Sequence, residues 1–332
     1  MSTKGVTLVI PIYNVEKYIS KCLDSVEKQD FKDLAVWAVN DGSPDNSAEI
    51  VKEYQKKDSR IKLINKKNGG YGSVLEYCID NISSEYFMIC DPDDWLAPNA
   101  ISELYNIAKN DNLDLVVGDR YHVYESDGTQ EYVKTFDSGS GIIPRKIYTS
   151  DVDRFAYGLV SPHAKLFRTS VCRNIKFPKK VSYTDYVLYI LSLARAKRAM
   201  YFNKAEAYYL IDRKGNTATN IDPSCISAYL KGWNAILDQL VQPEKNKGLL
   251  YRQYLQLKFI IGEYAKCSNN LFKDKYFYEI LQAVSRFKSY KYLALKENIV
   301  HISRKDRLIY KLMLNKITSV FFVKIYVKYK RD

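Results

Sequence analysis

Three carboxylates fall within four positions in the run Phe87-Met88-Ile89-Cys90-Asp91-Pro92-Asp93-Asp94-Trp95. The four apolar residues before them read as a buried strand, which puts the acids at its carboxyl end. Carboxylates this close repel one another and are costly to leave unpaired beside a core. A divalent cation removes that cost, because hard cations take carboxylate oxygens and bridge them to phosphates. An Asp-x-Asp pair in this place therefore suits a metal-bound nucleotide diphosphate. The plain alternative is a solvated acidic turn, since Asp and Pro are common turn residues.

Other polar clusters invite the same question. Asn68-Gly69-Gly70-Tyr71-Gly72-Ser73 follows a strand and opens a helix, as phosphate loops do. It fits neither the P-loop nor G-x-G-x-x-G, and a plain turn remains open. Asp41 can accept hydrogen bonds from a base or ribose, or cap a turn. Tyr13 can stack on a base or fill a surface groove.

The elements that must hold these groups alternate. Val6 to Ile10, Leu34 to Val39, Ile61 to Ile64, Tyr86 to Cys90 and Leu113 to Val117 read as strands. Between them, helical spacing appears over Val15 to Gln29, through Ile50, Val51 and Tyr54, through Val74 to Ile79, and after Pro98. This predicts a mostly parallel sheet covered on both faces, with ligands beyond the carboxyl ends of its strands. The clusters after each strand then converge on one rim. From Tyr121 the rhythm changes, and Tyr132 to Phe136 suggests an antiparallel excursion. Asp185 to Ala196 reads as a helix and Ala207 to Ile211 as a strand. Helices are predicted over 224–241, 248–268, 275–288 and 304–328.

The chain has 332 residues, 46% of them hydrophobic, which is enough for a sizeable core and argues against global disorder. Its 29 tyrosines suit half-buried surfaces and sugar or headgroup contacts. The net charge of +13 is uneven: residues 1–120 carry 14 Lys and Arg against 20 Asp and Glu, and residues 121–332 carry 37 against 18. An acidic half suited to cations precedes a basic half suited to anions. Six cysteines without C-x-x-C spacing read as reduced core residues of a cytosolic protein. No signal peptide and no membrane span are expected.

The segments Leu8-Val9-Ile10-Pro11-Ile12-Tyr13-Asn14, Val39-Asn40-Asp41-Gly42-Ser43-Pro44-Asp45-Asn46-Ser47 and Asp91-Pro92-Asp93-Asp94-Trp95-Leu96 resemble, in order and spacing, the bacterial non-processive members of the family-two inverting glycosyltransferases. The resemblance is strong over residues 5–120, weaker to 215 and absent beyond. It implies a GT-A nucleotide-diphospho-sugar transferase fold over 1–215, while the helical spacing and the basic charge excess read as a basic helical domain over 220–332. It implies a nucleotide-binding set of Pro11, Tyr13, Asn14, Asp41, Asn68, Gly70, Asp91 and Arg213, with Tyr13 and Asp41 on the nucleoside. Asp93, with Asp91, would hold Mn²⁺ or Mg²⁺. Asp94, Trp95 and His163 would face donor sugar or acceptor. The family's catalytic carboxylate, often in Glu-Asp, matches Thr184-Asp185 here, so Asp185 is the expected general base. Ser161-Pro162-His163-Ala164-Lys165-Leu166-Phe167 resembles the acceptor-side segment, and Tyr208-Tyr209 with Arg213 and Thr217 a tail that reaches the diphosphate. The implied partners are a nucleotide-sugar, with UDP as the default, and a glycan or lipid-linked glycan acceptor in cell-surface polysaccharide or glycoconjugate assembly. The Gln-x-x-Arg-Trp segment of processive synthases is missing, so one sugar is expected per encounter.

Residues 304–331 mix apolar, aromatic and cationic side chains as helices lying on anionic membranes do. A packing helix with a solvated basic face fits that pattern as well. The expected location is cytoplasmic, or peripheral on the inner face of the cell membrane. Three rival readings carry different signals. A metal-dependent nucleotidyltransferase calls for a basic Gly-rich loop after the first strand, which Pro11-Ile12-Tyr13-Asn14 does not supply. A nucleic-acid binder is opposed by the acidic half, so no nucleic-acid partner is expected. An inactive sugar-nucleotide-binding or anionic-surface-binding module stays open because Thr184 stands where Glu is usual.

Overall fold

Val6–Ile12 (β1) is buried at every position, and its side chains alternate between two cores. Leu8 and Ile10 join one, while Val9 joins the other. A strand buried on both faces must be covered by helices on both sides. The computed structural model describes residues 4–213, 222–290, 303–315 and 317–331. In it β1, β2 (Leu34–Asn40), β3 (Ile61–Asn65) and β4 (Tyr86–Ile89) lie parallel in the order β3-β2-β1-β4. The crossovers carry α1 (Ile19–Glu27), α2 (Ser47–Lys57) and α3 (Tyr71–Asn81), as the alternating pattern predicts.

Beyond β4 the sheet becomes mixed. After β5 (Trp95–Leu96) and α4 (Ala100–Asn110) comes β6 (Leu115–Val123), with β7 (Gln130–Val133) antiparallel beside it. β8 (Ile147–Tyr148) is short. β9 (Lys165–Arg168) inserts antiparallel between β4 and β6. The short helix α5 (Thr169–Cys172) and then α6 (Asp185–Leu193) follow. β10 (Ala199–Leu210) runs parallel to β6 and completes the order β3-β2-β1-β4-β9-β6-β10-β5. β10 begins eight residues before the strand expected at Ala207, because a bulge carries it past Asn203 and Lys204.

Every residue of α6 from Tyr186 to Leu193 is buried. It lies between the sheet and α7 (Ser224–Gln239), α8 (Lys247–Cys267) and α9 (Lys275–Phe287), whose apolar side chains belong to the same core cluster. Trp233 of α7 is fully buried and donates from Nε1 to the Gln253 carbonyl at 2.9 Å, while Gln253 donates to the Tyr186 hydroxyl at 2.9 Å. The helical region thus shares its core with the sheet layer. The boundary expected at 215–220 lies outside the described residues. The helix expected over 304–328 is two, α10 (Arg304–Met313) and α11 (Ser319–Arg331). Asn315 breaks it: its side chain accepts from the N–H groups of Ile317 and Thr318, a turn-forming role that Asn favours over helix interiors. Four of the six cysteines are buried and none is in a disulfide. Among the described residues no helix is long and apolar enough to cross a membrane.

A shared core makes the helical region necessary to the sheet. Trp233→Ala should lower the stability of the whole chain by about 3–5 kcal/mol, through the cavity it leaves. A chain ended at residue 213 should fail to melt cooperatively, because Tyr186 and Val187 would lose their cover. Urea unfolding and calorimetry check this; a cooperatively folded 1–213 fragment would contradict it.

Candidate functional site

The carboxyl ends of β1, β2 and β4 carry the polar clusters, as their parallel pairing requires. The loop after β1 is clamped by the loop after β2. Asn14, at φ 55°, donates its N–H to Ser43 Oγ at 2.7 Å, and Glu16 donates to Asp45 at 2.8 Å. Burial would push Asp45 up, but the Ser43 and Ser47 hydroxyls and two backbone N–H groups outweigh it and hold its carboxyl down at about 2. Pro11 is buried inside β1 opposite Val39, and Tyr13 is left exposed at the strand's end.

Asp41, nearly fully buried, accepts from Lys66 and from the N–H groups of Gly69 (3.0 Å) and Gly70 (2.7 Å). The glycine-rich turn therefore directs its N–H groups to Asp41 rather than to an open phosphate site, and Asn68 points to solvent. Gly70 has φ +83°, and a Cβ there would lie 2.9 Å from the Lys180 backbone, so only glycine fits. Two residues on, a Cβ at Gly72 would lie 2.8 Å from Phe177 and 3.1 Å from Thr184. That close approach brings the start of α3 against the start of α6.

Three partners divide the acidic triplet. Asp91 accepts from the Tyr71 hydroxyl at 2.7 Å. Burial, then the charge of Asp93, push Asp91 up to about 7, with the Tyr71 hydrogen bond opposing. Asp93 is paired with Arg213 just beyond β10. Asp94, fully buried, lies 2.6 Å from His163 Nε2 and accepts from the Leu210 N–H at 2.8 Å. Burial, then Asp93 and Asp91, push its carboxyl well above the usual range, while burial and the nearby Arg120 hold His163 well below it. The Asp94–His163 pair is thus driven toward its uncharged form.

Asp91, Asp94 and His163 offer ligand atoms that all lie within 4.8 Å of one another. Asp91 was expected at such a site, whereas Asp93 faces Arg213 and His163 joins from the loop before β9. His163 Nδ1 is buried and has no hydrogen-bond partner among the described residues. A carboxylate-and-imidazole set of this kind, with mutually repelling acids, fits a divalent cation.

Asp185 begins α6, where the helix dipole favours an anion. Burial pushes it up to about 6, against the Tyr186 N–H and the charges of Lys165 and Arg120. Thr184, the residue before it, lies against Gly72, and Tyr71 beside Gly72 bonds Asp91, so the start of α6 sits on the same side as the triplet. Thr184 is buried, and its hydroxyl has no hydrogen-bond partner among the described residues. The Trp95 ring stacks on Tyr208 at 5.4 Å, with Lys21 Nζ 3.3 Å over it. Thr217 lies outside the described residues.

Sequence reasoning assigned no individual role to three neighbours of the site. Tyr71 could have been found as the aromatic opening a helix after a glycine turn. Lys165, fully buried in β9, shows as a lone cation inside an apolar run. Arg120, also buried, bonds Ser161 and lies 5.3 Å over the Tyr209 ring, but nothing near it in the sequence marks it.

Comparison with known proteins places this geometry. Glycosyltransferase GlyA of Streptococcus pneumoniae is 29% identical over 273 residues, 78% of this chain and 38% of GlyA. The poly(ribitol-phosphate) beta-glucosyltransferase of Bacillus spizizenii is 28% identical over 217 residues, 63% of this chain and 33% of that protein. The chain therefore spans well under half the length of these two relatives. Residues 1–349 of Staphylococcus aureus TarS, solved in complex with UDP-GlcNAc, match with a TM-score of 0.69 at 18% identity, over 98% of this chain and 91% of that one. That likeness gives the fold as GT-A. The model of glycosyl transferase family 2 matches residues 7–176, more than half of the sequence, and the chain belongs to that family.

Proposed function

We propose that this chain transfers one sugar from a nucleotide-sugar to an acceptor hydroxyl, with inversion at the anomeric carbon. The observation that carries the reading is the contact of the start of α3 with the start of α6, which brings Asp185, raised by burial to about 6, to the side of the Asp91–Asp94–His163 cluster. Asp185 accepts the proton of the acceptor hydroxyl. That oxygen bonds to the anomeric carbon as the bond to the diphosphate breaks, and the bonding pair leaves with the nucleotide. A positioned base of this kind contributes about 10²–10⁴-fold. Tyr13 and Asn14 would line the nucleoside side together with Pro11 and Asp41. Asp41 also holds the Gly70 turn beside them.

The cluster would hold Mn²⁺ or Mg²⁺ through Asp91, Asp94 and His163. Such an ion supplies charge to offset the departing diphosphate. The expected role for Asp93 requires it to part from Arg213, and the diphosphate would then compete for that guanidinium. UDP is the nucleotide we assign, supported by the fold likeness to TarS, which is solved with UDP-GlcNAc and with UDP. A hydroxylated cell-surface polymer or glycoconjugate is the acceptor class, supported by the relative named for poly(ribitol-phosphate). The test is release of UDP from UDP-sugars that depends on both metal and acceptor. Turnover of a nucleoside triphosphate to pyrophosphate instead would replace this reading with nucleotidyl transfer.

Asp185→Asn should lower the transfer rate by at least about a hundredfold while leaving thermal stabilisation by UDP-sugar intact. Loss of both together would make Asp185 a binding residue.

The same carboxyl sets a pH profile. Asp185 acts only when ionised, so the rate should fall about tenfold per pH unit below about 6 and level off above it. A profile flat down to about pH 4.5 would mean that the base of the reaction is not a carboxyl raised by burial.

Asp91 has its pKa raised on folding, so the metal-free folded state binds its proton more tightly than the unfolded chain does. Its contribution to stability is therefore present at low pH and lost as pH rises through about 7. At pH 8 in a chelator, Asp91→Asn should melt higher than the parent. Mn²⁺ should raise the melting temperature of the parent and leave Asp91→Asn unmoved. Equal metal stabilisation of both would take Asp91 out of the cation site.

A further inference from the structure

The outer face of the last two helices combines two features that water alone does not favour. In α11, Val323, Tyr326 and Val327 are buried toward the body of the protein. A second apolar row, Phe321, Ile325 and Tyr329 at i, i+4, i+8, faces out, with Phe321 70% and Tyr329 60% exposed. Ile317, before the helix, is 91% exposed, and Leu308 of α10 adds to the same kind of surface. Soluble surfaces scatter such residues singly, whereas a recurrent row marks a contact.

Cations surround this row. Residues 303–331 hold nine Lys and Arg against one acid, Asp306. Asp306 is already engaged by Lys258 at 2.8 Å and by Ser303. On α10, Arg304, Lys305, Arg307 and Lys311 are exposed; on α11, Lys324, Lys328, Lys330 and Arg331 are. The pair is fixed to the body of the protein, because Tyr310 packs 4.6 Å from Tyr254 and α11 lies along α8.

We infer that this face is a docking surface for an anionic lipid bilayer. A bilayer offers both things the face asks for: a layer of negative headgroups for the cations and an apolar interior, reached within a few ångströms, for Phe321, Ile325 and Tyr329. A nucleic acid answers the charge but not the exposed aliphatic row. A second copy brings the same cations against themselves across a two-fold axis. Among the described residues no helix can cross the membrane, so the contact lies along the surface. The inference does not rest on the proposed sugar transfer. If both hold, the site is carried to the surface where lipid-linked acceptors lie.

The test uses the full chain and vesicles of phosphatidylcholine alone or mixed in equal parts with phosphatidylglycerol, read by co-sedimentation. The chain should bind the anionic vesicles, release them as salt rises, and ignore the neutral ones. Replacing Lys324, Lys328, Lys330 and Arg331 together by Gln should weaken binding about a hundredfold or more. Phe321→Ser with Ile325→Ser should weaken it about tenfold or more, and because both side chains face outward the double variant should melt like the parent. Equal binding to both vesicle types overturns the inference, as does binding unchanged in either variant. Duplex DNA binding at physiological salt without vesicle binding reassigns the face to nucleic acid. A concentration-dependent dimer lost in Phe321→Ser, again without vesicle binding, reassigns it to self-association.

Discussion

Three carboxylates at the end of one buried strand is the constraint around which the second half of the sheet is arranged. Asp91, Asp93 and Asp94 cannot all ionise in a low-dielectric place without partners. Each finds its partner on a different element. Tyr71 comes from α3, Arg213 from the end of β10, and His163 from the loop before β9. A parallel sheet with only β1 to β4 would bring Tyr71 alone. The antiparallel insertion of β9 between β4 and β6 delivers His163, and the parallel return of β10 delivers both Arg213 and the Leu210 N–H that Asp94 accepts. The mixed topology is therefore what makes the acidic triplet tolerable.

The remaining carboxylates of this rim separate by their surroundings. Asp45, fed by two hydroxyls and two N–H groups, stays near pKa 2 and acts as a clamp between the loops after β1 and β2. Asp41 ties Lys66 and the glycine turn together. Asp91 and Asp185, with fewer donors to offset the cost of burial, are raised to about 7 and about 6. Asp41 and Asp45 hold the loops in place, while Asp91 and Asp185 are the raised carboxyls of the rim.

The parallel β-α repeat was legible because each strand is a short apolar run and each crossover helix has one apolar face, as in Val74, Leu75, Cys78 and Ile79 of α3. The triplet, Tyr13, Asp41 and Asp185 were legible because each follows or begins such an element. What escaped had no periodic signature. β9 is four residues long and carries a buried lysine, so alternation could not mark it as a strand. His163 reaches Asp94 across 69 positions of sequence, and Arg120 reaches Ser161 across 41, separations that only the completed sheet closes. The break at Asn315 was hidden for another reason: apolar spacing continues on both sides of it, and only the side-chain capping of Ile317 and Thr318 divides the helix.

The position of Asp185 depends on the part of the chain that resembles the family least. Asp185 is set by the turn just before it, where Tyr183 holds φ 64°, a left-handed value that a bulky residue adopts only when its surroundings impose it. Those surroundings are α7: the Tyr183 ring stacks on Tyr229 at 4.2 Å and its hydroxyl meets Cys225. Gly232, one turn on, lets α7 pass close to Val187, within 3.5 Å of where its Cβ would be. α7 in turn is locked through Trp233 to α8, against which α11 packs. A continuous packed path thus runs from the basic outer face to the carboxylate at the start of α6. Close-packed cores transmit displacement rather than absorb it. The helices after residue 222 therefore do more than cover the sheet: they brace the turn from which Asp185 opens α6.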